Sequence, residues 1–332
     1  MPARPNLLPV RLRADPWAPD HGMGFEAVTD EVAPRVDPAV ETPDWSRPRV
    51  PGAVEGCPLH FVDGVRRVEL RLIAQQGSEM DSGSRRVPGL FGSCAVGAVR
   101  CDGEATFADS AISRFVILGG GLRGEAVDVR APNGTLRFEP VTEPGDDPDV
   151  PLMGLQQLMR KAEAGVAARL AAAEGELVLV DGPLTFSDPT ESPVVGLVKR
   201  FVRAYLQPEH DALLSRLGPG ERTPLFGLGR ADGPLDRFAW YTRLVPSRAH
   251  WHDHAGVVRC ELRSDLGLER STDIADRVTS VLPRFAGRPS DPRYPQNLSV
   301  VGRLEEWLRH RLGHAAIVRR SLIRHLTQEA AA

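Results

Sequence analysis

Lysine is almost missing from this chain. Of 41 basic residues only Lys161 and Lys199 are lysines, and in a chain that defaults to arginine a lysine hints at a place where a compact ammonium suits better than a planar guanidinium. Cysteine is also scarce. Cys57, Cys94, Cys101 and Cys260 show no Cys-x-x-Cys spacing, which excludes a zinc ribbon or a disulfide framework and leaves four free thiols. No apolar run approaches the roughly 20 residues of a membrane span. The first residues lack a basic segment leading into a signal-like apolar core, so the expected setting is the cytoplasm, with no membrane partner. There is no excess of positive charge: 41 basic residues face 44 acidic ones, a formal net charge of −3. Any nucleic-acid surface must therefore be a local patch, which argues against a simple DNA-binding module. Gly119-Gly120-Gly121 has no lysine and Ser/Thr after it and is not a phosphate loop.

What is present is a length of 332 residues and 42% hydrophobic content, enough for a large, well-filled domain. Residues 1–56 carry ten prolines and no sustained period. They read as an irregular arm, partly disordered or wrapped on the domain through Leu7, Leu8, Val10, Leu12 and Trp17. The folded domain is expected over 57–330.

The centre of that domain is Glu176-Leu177-Val178-Leu179-Val180-Asp181-Gly182-Pro183. Four consecutive apolar residues predict a strand buried on both faces. Gly182 and Pro183 then break the ladder and leave Asp181 at the open end of a sheet, where ligands collect. Leu59-His60-Phe61-Val62-Asp63-Gly64 repeats the signal. Alternation past Gly64 predicts that this strand runs on to Ala74, so that Asp63 projects from the middle of a sheet. Between the two lies a helix from Pro151 to Ala173, whose apolar stripe of Leu155, Met159, Val166 and Leu170 includes Glu163. A carboxylate on a packing face is unusual. From Glu163 to the helix end is about 15 Å at ~1.5 Å per residue, and the return along the strand to Asp181 is about 16 Å at ~3.3 Å per residue. The two carboxylates come level. The plain alternative is that Glu163 pairs with an arginine at the core's edge while Asp181 caps a turn.

Around these landmarks the pattern predicts a three-stranded antiparallel meander (59–74, 89–100, 106–118), with turns at Gln76-Gly77 and Asp102-Gly103. After Asp181 it predicts a segment at 193–200, a helical stretch reaching about Leu217, strands 237–245 and 256–262, a helix near 271–285 and one long helix near 298–327. Three antiparallel strands, helix, strand, helix, strand is the order of a ribonuclease H-like α/β fold, a mixed sheet flanked by helices. In that fold the first strand, first helix and fourth strand meet at one edge. Asp63, Glu163 and Asp181 occupy those places, and clustered carboxylates hold the hard, oxygen-ligated Mg²⁺ or Mn²⁺ ions of phosphodiester cleavage.

Phe61-Val62-Asp63-Gly64-Val65-Arg66-Arg67, Leu158-Met159-Arg160-Lys161-Ala162-Glu163, Leu179-Val180-Asp181-Gly182-Pro183-Leu184, Val195-Gly196-Leu197-Val198-Lys199-Arg200, Trp240-Tyr241-Thr242-Arg243-Leu244 and Arg293-Tyr294-Pro295 together resemble the NurA-type nucleases. The resemblance runs from about Pro58 to the C-terminal helix. It implies a homodimeric, ribonuclease H-like, Mn²⁺- or Mg²⁺-dependent DNA nuclease with a two-metal site, the partner of a hexameric HerA-type ATPase in DNA end processing or phage defence. By resemblance Asp63, Glu163 and Asp181 are the metal-binding acids, Lys199 faces the phosphate and Tyr294 lies near the active site. The family often has a histidine about eight residues past that tyrosine, where this chain has Gly302.

Two other readings compete. His250-Trp251-His252-Asp253-His254 would place three histidines on one face of a strand, a zinc hydrolase's ligand set, although the segment falls between two strands. The other is a catalytically weak nuclease-like scaffold that docks on an ATPase, which Gly302 favours and the three acids oppose. Arg303, Arg309, Arg311, Arg319, Arg320 and Arg324 near the C-terminus form either a solvated face or a DNA-lining patch.

Overall fold

An 18-residue strand carries the fold. In the computed structural model, which describes residues 10–14, 34–52, 58–76, 85–172, 176–184, 193–199, 205–291 and 293–331, Leu59–Gln76 forms one continuous strand, β3. It pairs antiparallel with β4 (Arg85–Asp102), and β4 with β5 (Glu104–Leu118). This is the expected meander, turned at Asp102-Gly103. The strand does not break at Gly64; its one register shift comes later, between Val68 and Leu70. The chain then adds a hairpin that the pattern did not reveal, β6 (Val127–Ala131) with β7 (Gly134–Thr142), and β7 joins β5 in parallel.

Helix α1 (Val150–Ala171) follows. Proline near its start costs nothing, because the first N–H groups of a helix have no intrahelical partner. Its buried stripe of Leu152, Leu155, Met159, Glu163 and Val166 packs on β3 and β4. Strand β8 (Leu177–Asp181) lies beside β3 in parallel, and β9 (Val194–Val198) beside β8. Buried on both faces, β8 separates two cores. Leu177 and Leu179 belong to one with Leu59 and Phe61, while Val178 and Val180 belong to the other with Val62 and Met159.

Beyond β9 come α2 (Pro208–Arg216), β10 (Phe226–Gly229), β11 (Leu235–Arg243), β12 (Val257–Arg263) and α3 (Leu268–Val281). The helix expected to reach Leu217 thus begins only at Pro208 among the described residues. Among the described residues the twelve-stranded sheet runs from β2 (Arg35–Asp37) in the order β2-β10-β11-β12-β9-β8-β3-β4-β5-β7-β6, with β1 (Val10–Ala14) also on β3. Both β1 and β2 (Arg35–Asp37) come from the proline-rich N-terminal stretch. Nearby, Trp45 is buried, and Glu41 accepts from both terminal nitrogens of the buried Arg222. Of the apolar arm residues, Leu12 packs on the core beside β3, whereas Leu7, Leu8 and Trp17 lie outside the described residues. The central order β5-β4-β3-β8-β9 with flanking helices is ribonuclease H-like. Cys94, Cys101 and Cys260 are buried free thiols, and Cys57 lies outside the described residues. Among the described residues no helix is long and apolar enough to cross a membrane.

The expected long C-terminal helix is in fact two, α4 (Ser299–Arg311) and α5 (Ala315–Ala331). Gly313 breaks it with φ of 81°, a left-handed conformation that glycine takes without steric cost. Carbonyls exposed by the break are satisfied from the sheet: Arg67 donates to Leu312 O and Gly313 O, and Arg114 donates to Leu312 O. Cations at a helix C-terminus also oppose its dipole. The break therefore fixes α4 against β3, β4 and β5.

Leu155 is fully buried in the contact between α1 and the sheet. Truncating a buried leucine typically costs about 2–5 kcal/mol, so Leu155→Ala is expected to lower the urea unfolding midpoint clearly. Met153→Ala, at an exposed position of the same helix, should leave it within about 0.5 kcal/mol of wild type.

Candidate metal centre

Register places the first two acids. The parallel ladder pairs Leu59 with Leu177 and ends with Val62 opposite Val180, so the next residues, Asp63 and Asp181, stand abreast. Side chains alternate across a strand. Both acids project on the side of Phe61 and Leu179, which pack with Leu304 and Leu308 of α4. Asp63 is 5% exposed. Its Oδ1 accepts the Gly64 N–H at 2.8 Å, and its Oδ2 is buried with no hydrogen-bond partner among the described residues. Asp181, at the end of β8, accepts from Lys199 Nζ at 2.9 Å, one residue past the end of β9. The lone lysine of this half of the chain is thus at the site.

Glu163 approaches from the other face. Residue 64 points towards α1, and a Cβ there would lie 2.6 Å from Glu163 Oε1 and 2.9 Å from Met159 Cγ. Only glycine allows the helix this close. Arg160 Nη1 donates to Glu163 Oε2 at 2.9 Å and also to the main-chain oxygen of Asp181, so the helix and strand do come level. The plain expectation of a Glu163–arginine pair is met as well, but it occupies one oxygen: among the described residues Oε1 is buried with no hydrogen-bond partner of good geometry. Burial pushes the Glu163 carboxyl up to about 7 against the pull of Arg160. Asp63 is raised well above the ordinary carboxylate range, by burial first and then by the charges of Asp181 and Glu163. Desolvated like charges in one place disfavour ionisation. A cation would reverse that.

A fourth acid went unnoticed in the sequence. Glu305 of α4 is buried, and one ligand oxygen each from Asp63, Asp181 and Glu305 lie within 4.8 Å of one another. Glu305 accepts from Arg293 Nη1 at 2.6 Å and from Arg309 Nη2 at 2.7 Å. A signal existed, since Val301, Leu304 and Leu308 mark a buried helical stripe and Glu305 lies within it, as Glu163 lies in its own. The donor set is all carboxylate oxygen, the type that hard divalent cations take, and among the described residues Asp63 Oδ2 within it, like Glu163 Oε1 beside it, is buried with no hydrogen-bond partner. The residues fit Mg²⁺ or Mn²⁺.

The remaining candidates are placed as follows. Tyr294 packs edge-on against Trp251, with ring centroids 5.5 Å apart, and beneath the Arg248 guanidinium. Gly302 lies on α4, and a Cβ there would meet Asn297 Nδ2 at 3.4 Å and Arg293 Nη2 at 3.5 Å. The space beside Gly302 is occupied by the arginine that holds Glu305. His250 and His254 sit in the loop between β11 and β12: His250 stacks edge-on against Trp251, and His254 Nε2 is 3.5 Å from Asp211. Among the described residues, the acids on β3, β8 and α4 are the one group of three ligands close enough to share an ion; the histidines are not gathered. Of the C-terminal arginines, Arg309 turns to Glu305, Arg311 covers Trp307, Arg324 donates to Arg130 O, and Arg303 is 80% exposed near Glu306.

No curated protein matches the chain. A family model does: the NurA domain, over residues 89–304. The match takes in Glu163, Asp181, Lys199 and Tyr294, while Asp63 precedes it and Glu305 follows it by one residue. Because it spans most of the chain, from β4 through α1, β8 and β9 to α4, this protein belongs to the NurA family of nucleases.

Proposed function

We propose that this chain is a Mn²⁺- or Mg²⁺-dependent deoxyribonuclease, a homodimer that works with a hexameric HerA-type ATPase in DNA end processing or phage defence in the cytoplasm. Residues 57–330 make up its nuclease domain and 1–56 its arm. The observation that carries this reading is the pair Asp63 and Asp181, set abreast by the strand register, with a buried Asp63 oxygen that nothing in the described protein satisfies.

Asp63 and Asp181 would hold a divalent ion on the α4 side, and Glu163 would offer its bare oxygen from the α1 side to a second. Bound ions of this kind supply an activated water and neutralise charge on the phosphate and its leaving oxygen. The protein's own groups do the rest. Arg160 fixes Glu163 and the end of β8 together, so the distance between the two acids is set before substrate arrives. Lys199 balances Asp181 in the resting site. Lys199 would also face the phosphate, where a point charge stabilises the transition state without coordinating metal. Tyr294, on a loop held by Trp251 and Arg248, would line the substrate path. No side-chain nucleophile is needed.

The formal charge of −3 gives no long-range attraction for a polyanion, so DNA must be held in a channel with its positive charge focused. Two copies about a two-fold axis would frame such a channel. An ATP-driven translocase docked on one mouth would push the duplex in.

Asp63→Asn and Asp181→Asn are each expected to lower Mn²⁺-dependent cleavage of linear DNA by about 100-fold or more while the circular dichroism spectrum is kept, because a lost ligand costs both ion and activated water. Cleavage at the wild-type rate by either folded variant would refute the site. Lys199→Ala should slow cleavage by about 10-fold or more with Mn²⁺ affinity unchanged or tighter; an unaltered rate would make Lys199 a structural partner of Asp181 only. Mixed with its cognate ATPase, the purified protein should degrade linear duplex DNA strongly only when ATP is present. Equal rates with and without the ATPase and ATP would show a nuclease that works unaided.

A further inference from the structure

We propose that Glu305 is a direct cation ligand, the fourth carboxylate of the site, delivered by α4. This rests on the reading of the site as a divalent-metal centre. Asp63 and Asp181 project on the α4 side of the sheet, and Glu163 comes from the other. On the α4 side, then, the third oxygen within 4.8 Å of theirs belongs to Glu305.

The ion pairs around the site make the same point. Asp181 has Lys199, Glu163 has Arg160, and Glu305 has Arg293 and Arg309. Among the described residues Asp63 has no such partner, and its Oδ2 is bare. A glutamate whose only task was to join two arginines could do so at the surface, since those arginine side chains are 51% and 60% exposed. Instead Glu305 is 6% exposed and faces two other carboxylates, an arrangement that costs free energy unless a cation joins it. The arginines take one lone pair on each Glu305 oxygen and leave the other free. They fix its rotamer, as outer partners of metal ligands commonly do. Gly302, one turn before Glu305, lies beside the Arg293 guanidinium, which a Cβ there would meet at 3.5 Å. Arg293 and Arg309 are thus positioning residues, and α4 enters the site through Glu305.

The test reads binding rather than cleavage. Mn²⁺ is titrated into the full-length protein and the free ion followed by electron paramagnetic resonance, for wild type, Asp63→Asn, Glu305→Gln and Glu305→Asp. The expectation is a Kd raised about 10-fold or more in Glu305→Gln, with Glu305→Asp, which keeps a shorter carboxylate, in between. An unchanged Kd in Glu305→Gln beside a weakened Asp63→Asn overturns the role of Glu305 and leaves the metal centre standing. No Mn²⁺ bound by wild type overturns the centre itself. Should Glu305→Gln not fold, iron-mediated cleavage of the wild-type backbone decides. With Fe²⁺, ascorbate and peroxide, cuts are expected near residues 63, 181 and 305; cuts near 63 and 181 with none across 300–310 overturn the proposal.

Discussion

The parallel pairing of β3 with β8 is the constraint on which the rest depends. Once Val62 lies opposite Val180, two aspartates on neighbouring strands must stand side by side on one face, and a slip of one residue would turn either acid to the other face. The register is held by burial on both sides, since Phe61 and Leu179 fill one core while Val62 and Val180 fill the other. Everything near the site adjusts to that pair. Gly64 removes a side chain so that α1 can bring Glu163 close, and the Gly313 break, tied down by Arg67 and Arg114, sets α4 against the same strands.

Such a site runs against folding stability. Asp63, Asp181 and Glu305 meet on one face of the sheet and Glu163 comes in from the other, and burial together with mutual repulsion holds Asp63 and Glu163 towards their neutral forms. The chain offsets part of this with Arg160, Lys199, Arg293 and Arg309, each paired with one acid. It leaves Asp63 uncompensated. Local rules of burial and pairing are broken where function requires it, and here the breach lies where four separate elements, β3, β8, α1 and α4, come together.

The parts of this arrangement that were legible in the sequence are those with strong local periodicity. Asp63 and Asp181 stood out because each follows a run of buried apolar strand residues and precedes a glycine, and Glu163 because it interrupts an apolar helical stripe. Glu305 interrupts a stripe in the same way, yet the arginine-rich C-terminal pattern read as one long helix, and without the break at Gly313 nothing directed that face at the sheet. The β6–β7 hairpin and β2 were hidden by their exposed, charged residues, among them Arg35, Asp128 and Arg130. Strand β10, only four residues with two glycines, is too short to show a period. The His250–His254 run is conspicuous in sequence, but the loop that carries it turns His250 to Trp251 and His254 to Asp211.

The central claim is that the pair Asp63 and Asp181 exists to hold a divalent cation, and anomalous diffraction from crystals grown with Mn²⁺ tests it most directly. The account predicts a manganese peak in contact with Asp63 Oδ2, the buried oxygen that no described protein group satisfies, and shared with Asp181. Full-occupancy manganese elsewhere, in the His250–His254 loop for instance, with nothing between the two aspartates, would contradict it.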